Sequence, residues 1–131
     1  MKNHAPIPEE VDRIASAVVD AAFAVHKELG PGLLESVYEV CLCHELSTRG
    51  IPFRSQVHLP VSYKGLKLDS GLRLDLLVAD SVVVELKSAQ NIEAVFEAQL
   101  LSYLKLTGLR VGLLINFNVP IIKAGIIRLV V

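Results

Sequence analysis

The chain predicts an α/β (α+β) domain, a mixed β-sheet flanked by helices with elements in the order ααβββαββ. Three observations point there. Apolar residues recur at helical spacing over two N-terminal stretches. Leucine-rich and β-branched runs separated by short turns follow them. A further helical stretch then stands before two more such runs, so a strand returns to the sheet after a helix. The 131 residues are 52% hydrophobic and 21% charged, the balance of a folded chain of single-domain size, and residues 1–131 are read as one domain.

Pro8-Glu9-Glu10 opens the first helix, since proline is tolerated in a first turn and acids are favoured by the helix dipole. Ile14, Val18, Ala21, Val25 and Leu29 recur at helical spacing until Gly30-Pro31-Gly32 stops the run. A second helix is expected from about Leu33 to Arg49, with Val37, Tyr38, Cys41, Leu42 and Leu46 on its apolar side and Gly50 as its cap. Phe53 to Tyr63 reads as a strand kinked at Pro60, and Lys64-Gly65 turns the chain into a hairpin region. A third helix spans about Ile92 to Leu106, and Arg110 to Phe117 reads as a buried strand. Asn118 to Gly125 is a loop, and Ile126 to Val131 a last short strand.

The run from Leu72 to Ser88 carries most of the functional information. A three-residue loop, Ala79-Asp80-Ser81, pairs Val78 with Val82 and sets Asp75 directly opposite Glu85. Alternation then puts Glu85 and Lys87 on the face of Val83, and Arg73, Asp75 and Leu77 on one face of the preceding strand. Facing carboxylates repel. Val82-Val83-Val84 and Leu86 moreover read as a strand buried on both sides, where unpaired charge is expensive. A hard divalent cation between Asp75 and Glu85, with Lys87 alongside, would account for such a pair. The blander reading is a solvated edge with a compensating Glu/Lys pair, and a one-residue slip in the turn would send Asp75 to the face away from Glu85.

Elsewhere the signals are weaker. A net charge of −1 and a pI of about 6.4 give no general electrostatic case for nucleic acid, although a local basic face is possible around Arg54, Lys64, Lys67, Arg73 and Lys87. Cys41 and Cys43 point to different sides of one helix, which suits small buried apolar residues rather than a disulfide or a shared metal. His26, His44 and His58 stand singly and read as structural. The opening Met1-Lys2-Asn3-His4-Ala5-Pro6 lacks the apolar core of a signal peptide, and no apolar run reaches membrane length, so a cytoplasmic setting without membrane contact is expected. On the third helix, Gln99 and Tyr103 fall in line with Ile92, Phe96 and Leu106. A glutamine buried in that stripe needs a partner, which is either nearby backbone or a functional group.

This ordered set resembles the PD-(D/E)xK nuclease superfamily, whose restriction-endonuclease-like core carries an Asp on its second strand and Glu-x-Lys on its third. Asp75 and Glu85-Leu86-Lys87 occupy those places, and Gln99-Leu100-Leu101-Ser102-Tyr103 fits the Gln-x-x-x-Tyr of RecB-like members. Gly32-Leu33-Leu34-Glu35-Ser36-Val37-Tyr38 is similar to the defining motif of the GxxExxY family within it. Leu74 stands where the superfamily's name has proline, and two cysteines are too few for the iron–sulfur cluster of some relatives. The resemblance implies a Mg²⁺- or Mn²⁺-dependent nuclease acting on nucleic acid, with DNA as the expected substrate. Asp75, Glu85 and the Leu86 backbone carbonyl would hold the metal, with Glu35, Lys87 and Gln99 completing the catalytic set. Gln99, Tyr103 and Arg73 would contact substrate. Analogy with small relatives also implies a homodimer. Against this stand a non-catalytic module binding nucleic acid or protein on the same scaffold, and an enzyme acting on another phosphate ester.

Overall fold

The computed structural model describes Ala5 to Val131, the side chain of Ser70 apart; Met1 to His4, and with them most of the segment expected to lack a signal-peptide core, lie outside the described residues. The elements are α1 (Glu9–Leu29), α2 (Glu35–Thr48), β1 (Phe53–Tyr63), β2 (Leu66–Val78), β3 (Val82–Lys87), α3 (Ala94–Thr107), β4 (Val111–Asn116), a 3₁₀ turn (Ile122–Gly125) and β5 (Ile126–Val130). The order ααβββαββ is as expected, and differences fall at element ends. Pro8 caps α1 from outside, its carbonyl accepting from Val11 and Asp12 N–H. Helix α2 begins at Glu35 rather than Leu33 because Leu34 is extended, and α3 begins at Ala94 rather than Ile92 because Glu93 is extended. The loop before β5 contains the 3₁₀ turn.

The five strands lie side by side in sequence order. Neighbours are antiparallel except β3 and β4, which are parallel and joined by α3 as the crossover that parallel neighbours require. Alternation along the two central strands divides the core. Val82, Val84 and Leu86 of β3, with Val111, Leu113 and Ile115 of β4, pack under α1 and α2. Val83 and Leu114 pack on the opposite face with Leu100, Tyr103 and Leu104 of α3. Burial on both faces explains why β3 and β4 are apolar almost throughout. Gly112 lets α3 come close: a Cβ there would stand 2.8 Å from Leu100 Cδ1.

The β2–β3 turn has the expected length, with Val78 paired to Val82 and Leu76 to Val84. Ala79 and Asp80 take φ of 51° and 50°, the left-handed values that match a tight hairpin to strand twist. The β1–β2 register shifts between Leu59 and Val61, at Pro60, as expected. These two strands outrun the sheet, since β3 pairs with β2 only from Leu76 to Val78.

Candidate active site

The β2–β3 ladder stops where Asp75 and Glu85 face one another, and side chains replace the missing backbone bonds. Asp75 N–H donates to Glu85 Oε1 at 3.1 Å, and Leu86 N–H donates to Asp75 Oδ2 at 2.8 Å. A matching irregularity lies opposite, in the neighbouring strand. Gln56 of β1, between the pairs Ser55–Leu76 and Val57–Leu74, has φ of 52°, a left-handed value unfavourable for a residue with a Cβ. Its side-chain amide donates to Glu39 Oε1 of α2 at 2.7 Å. Alternation breaks there: Leu76 packs under α1 and α2, whereas Leu74, two residues earlier, packs against the α3 cluster. The break takes Asp75 out of the ladder and puts its carboxylate against β3.

An extended residue directs its N–H and C=O to the same edge of its strand. Leu86 N–H meets Asp75, so the Leu86 carbonyl faces the same gap. Asp75 Oδ1 and Glu85 Oε2 accept no N–H among the described residues, and the protonated Glu85 carboxyl hydrogen-bonds to that of Asp75. Glu85 is only 5% exposed. Burial first, and then the charge of Asp75, push its carboxyl up to about 8, against the opposing pull of the Asp75 N–H bond and, more weakly, of Lys87.

Lys87 follows on the same face and holds its Nζ over the Phe96 ring of α3, 4.5 Å from the centroid, a cation–π contact that fixes an otherwise flexible side chain. Tyr103, buried one helical stretch further along α3, has its phenol raised above its ordinary value by burial and then by the charges of Glu85 and Asp75. It therefore remains a neutral O–H within the field of the acid pair. Gln99 lies between Phe96 and Tyr103 in helical order, but is exposed rather than buried in an apolar stripe. It has no hydrogen-bond partner among the described residues, which leaves its amide free for a ligand.

Glu35 reaches the region by another route. Gly32, at φ 95°, turns the chain after α1, and the Tyr38 hydroxyl donates to Gly30 O at 2.6 Å while accepting from Leu33 N–H at 3.1 Å. Tyr38 is fully buried and stacks on Phe117, with centroids 4.4 Å apart, so it packs as its spacing suggested. Ser88 Oγ donates to Leu33 O at 2.5 Å, tying this loop to the residue after Lys87. Glu35, the first residue of α2, stands two residues beyond this tie and is exposed, and it forms no metal-holding cluster of three with Asp75 and Glu85 among the described residues.

Two features were not read from the sequence. Phe96 as the seat of Lys87 leaves no local signal. Asn116 does leave one, a lone amide ending an apolar strand. It is buried, donates to Ala89 O at 2.9 Å, and accepts from Ala89 N–H and Asn118 N–H at 3.0 and 3.2 Å, clamping the segment that leaves Lys87. Arg73 requires correction. It is exposed between Leu72 and Leu74, both turned toward α3, and so does not share a face with Leu77; the break at Asp75 reverses the alternation. Cys41 and Cys43 are free thiols, half-buried against the α1–α2 core, and burial followed by the charge of Glu39 pushes Cys43 up to about 11. His26 is buried, with Nε2 2.8 Å from Val119 O, while His44 and His58 are exposed.

The donor set suits a hard divalent cation: two adjacent carboxyl groups, each with an oxygen that accepts no N–H, and a main-chain carbonyl facing one gap, in surroundings where excess negative charge is poorly solvated. No cluster of three or more His, Cys, Asp or Glu side chains is present among the described residues. An ion would thus complete its coordination with water and substrate, as Mg²⁺ commonly does. A family model described as the PD-(D/E)XK nuclease superfamily matches residues 12–129, and the mixed sheet with helices on both faces accords with a restriction-endonuclease-like fold. The superfamily consists generally of nucleases, typically using divalent metals such as Mg²⁺. No curated protein and no solved structure matches the chain. Among the described residues no helix is long and apolar enough to cross a membrane.

Proposed function

The chain belongs to the PD-(D/E)XK nuclease superfamily, and on that premise we propose that it is a metal-dependent nuclease hydrolysing phosphodiester bonds of DNA. The carrying observation is the exchange across the strand gap, where Asp75 and Glu85 each accept the main-chain N–H of the opposite strand and so converge, with Lys87 alongside. A module that only binds has no use for two repelling carboxylates in a buried place.

Asp75, Glu85 and the Leu86 carbonyl would hold Mg²⁺ or Mn²⁺, which when bound supplies phosphate charge neutralisation and a more acidic water. Lys87, seated on Phe96, stands as a fixed cation beside the phosphoryl oxygens and stabilises the negative charge that builds there during attack. Gln99 offers its free amide to a non-bridging oxygen or to the attacking water. Tyr103 bounds the site with an O–H that stays protonated. Glu35 places a further carboxylate near the leaving side, and Arg73 meets phosphates away from the scissile one. We further propose that the chain is a GxxExxY-family member, a single nuclease-like domain working in the cytoplasm, and that a dimer offers two sites to two strands.

Incubation with branched, single-stranded and duplex DNA in Mg²⁺ or Mn²⁺ tests the proposal. Cleavage is expected for the wild type and not for Asp75→Ala; equal products from both, or none on any substrate, would overturn it.

A further inference from the structure

The β1–β2 ribbon extends beyond the sheet. From Asp75 outward β2 has no strand neighbour other than β1, and on the stretch from Ser62 to Leu68 every residue is exposed. Its charges are one-sided. Lys64, Lys67 and Arg73 stand against Asp69 alone, on a chain whose net charge is −1. Of the basic residues around this region, Arg54 is paired with Asp80 at 2.9 Å and Lys87 is seated on Phe96, whereas Lys64, Lys67 and Arg73 enter no ion pair among the described residues and Lys64 only lies over the exposed Tyr63 ring, 5.4 Å from its centroid. The tip is also apolar: Tyr63 and Leu66, 60% and 59% exposed, pair across the Lys64-Gly65 turn, with Leu68 beside them. Gly71 relieves crowding at the Pro60 irregularity, since a Cβ there would meet Val61 Cγ2 at 3.0 Å and Leu59 O at 3.2 Å. The root of the ribbon is Asp75 itself.

We propose that this ribbon is a DNA-gripping arm that enters the major groove of a duplex next to the scissile bond. Lys64, Lys67 and Arg73 contact phosphates, and Tyr63 and Leu66 contact the groove wall. The inference rests on the nuclease reading and adds the element that holds the substrate. Dimensions and charge favour this occupant. Two strands about 4.8 Å apart fit a groove about 12 Å wide, and the stretch clear of the α3 cluster, which still holds Val57, Leu59 and Leu72, runs from Pro60 to Tyr63 and reaches roughly 13 Å at about 3.3 Å per residue. A second copy would bring like-charged arms together. Single-stranded nucleic acid would call for a series of stacking aromatics, and the distal ribbon offers Tyr63 alone.

The test measures binding of the full-length protein to a fluorescent duplex over a range of salt, without divalent ions so that no strand is cut. Lys64→Glu/Lys67→Glu is expected to weaken binding about tenfold or more and to reduce the slope of log K against log salt by roughly 2. Tyr63→Ser/Leu66→Ser should weaken binding with the slope unchanged. Lys27→Glu/Lys105→Glu, which alters net charge equally outside the ribbon, sets the control. Ribbon variants that bind like this control would overturn the proposal, as would a wild-type dimer that Tyr63→Ser/Leu66→Ser dissociates without loss of DNA affinity. Mn²⁺-dependent hydrolysis of bis(4-nitrophenyl) phosphate separates the two readings. Its retention in the wild type and all ribbon variants leaves the active site standing whichever way the arm falls, and its absence in the wild type counts against the nuclease alone.

Discussion

Glu85 holds its proton to about pH 8 because burial strips water from its carboxylate and Asp75 stands beside it. Between the ordinary carboxyl value of 4.5 and about 8 the metal-free folded chain keeps a proton that the unfolded chain has released. Stability therefore falls as pH rises through that window and levels off above it. Glu85→Gln removes this dependence, so without metal at pH 8 the variant should be more stable than the wild type by roughly 2–4 kcal/mol, with the advantage vanishing below the window. Urea unfolding in a chelator at pH 4 and pH 8 measures it; equal wild-type and variant midpoints at both values would contradict the assigned strain. Lys87 acts on the other side of the balance. Lys87→Ala should lower turnover by about 100-fold or more while Mn²⁺ still binds, and a loss of both together would make Lys87 structural. At this scale the pairing of Asp75 with Glu85 was legible, because a three-residue turn and strict alternation determine which residues oppose. The break at Asp75 was not, since it lies opposite a left-handed Gln56 held by Glu39 from another element. The misplacement of Arg73 follows from that one event.

Individual elements carry the site by a few fastenings. Tyr38 closes the α1–α2 loop through two hydrogen bonds and a stack on Phe117, so Tyr38→Phe keeps the stack and loses both bonds. About 1–2 kcal/mol of stability should go with them, read from the unfolding midpoint. Activity should fall as well, since the loop presents Glu35; unchanged turnover would separate Glu35 from the reaction. Helix α3 depends on Gly112. Gly112→Ala must displace Leu100, at a cost of about 1–3 kcal/mol, and shift the helix that bears Phe96, Gln99 and Tyr103. A thermal melt beside a cleavage assay checks it, and normal values in both would show that α3 has room to spare. Helical spacing and turn residues made these elements readable in order. Their first residues were less so, because Leu33 and Ile92 fit the apolar pattern while the backbone at Leu34 and Glu93 is still extended. Gln99 shows the same limit: its spacing placed it on the right helix and in the right line, but its exposure depends on how α3 lies on the sheet.

The whole molecule puts its chemistry where its sheet regularity ends. Beneath α1, α2 and α3 the central strands are packed on both faces. At the Asp75–Glu85 gap the ladder opens, and beyond Leu59 and Leu72, which still pack against the α3 cluster, the β1–β2 ribbon leaves the body. A net charge of −1 hides this division, because it averages a cationic ribbon with an acidic remainder, and only the position of Lys64, Lys67 and Arg73 in the chain pointed to a local basic face. A divalent ion binding the folded chain alone would stabilise it by mass action. Binding at neutral pH would also displace the Glu85 proton, since a carboxylate ligand must be ionised. Calorimetric titration of Mn²⁺ at pH 7, in two buffers of different ionisation heat, tests the acid pair as a metal site most directly. The wild type should bind Mn²⁺ and release about one proton per ion, and Glu85→Ala should do neither. Equal binding by both chains, or binding by the wild type without proton release, would contradict it.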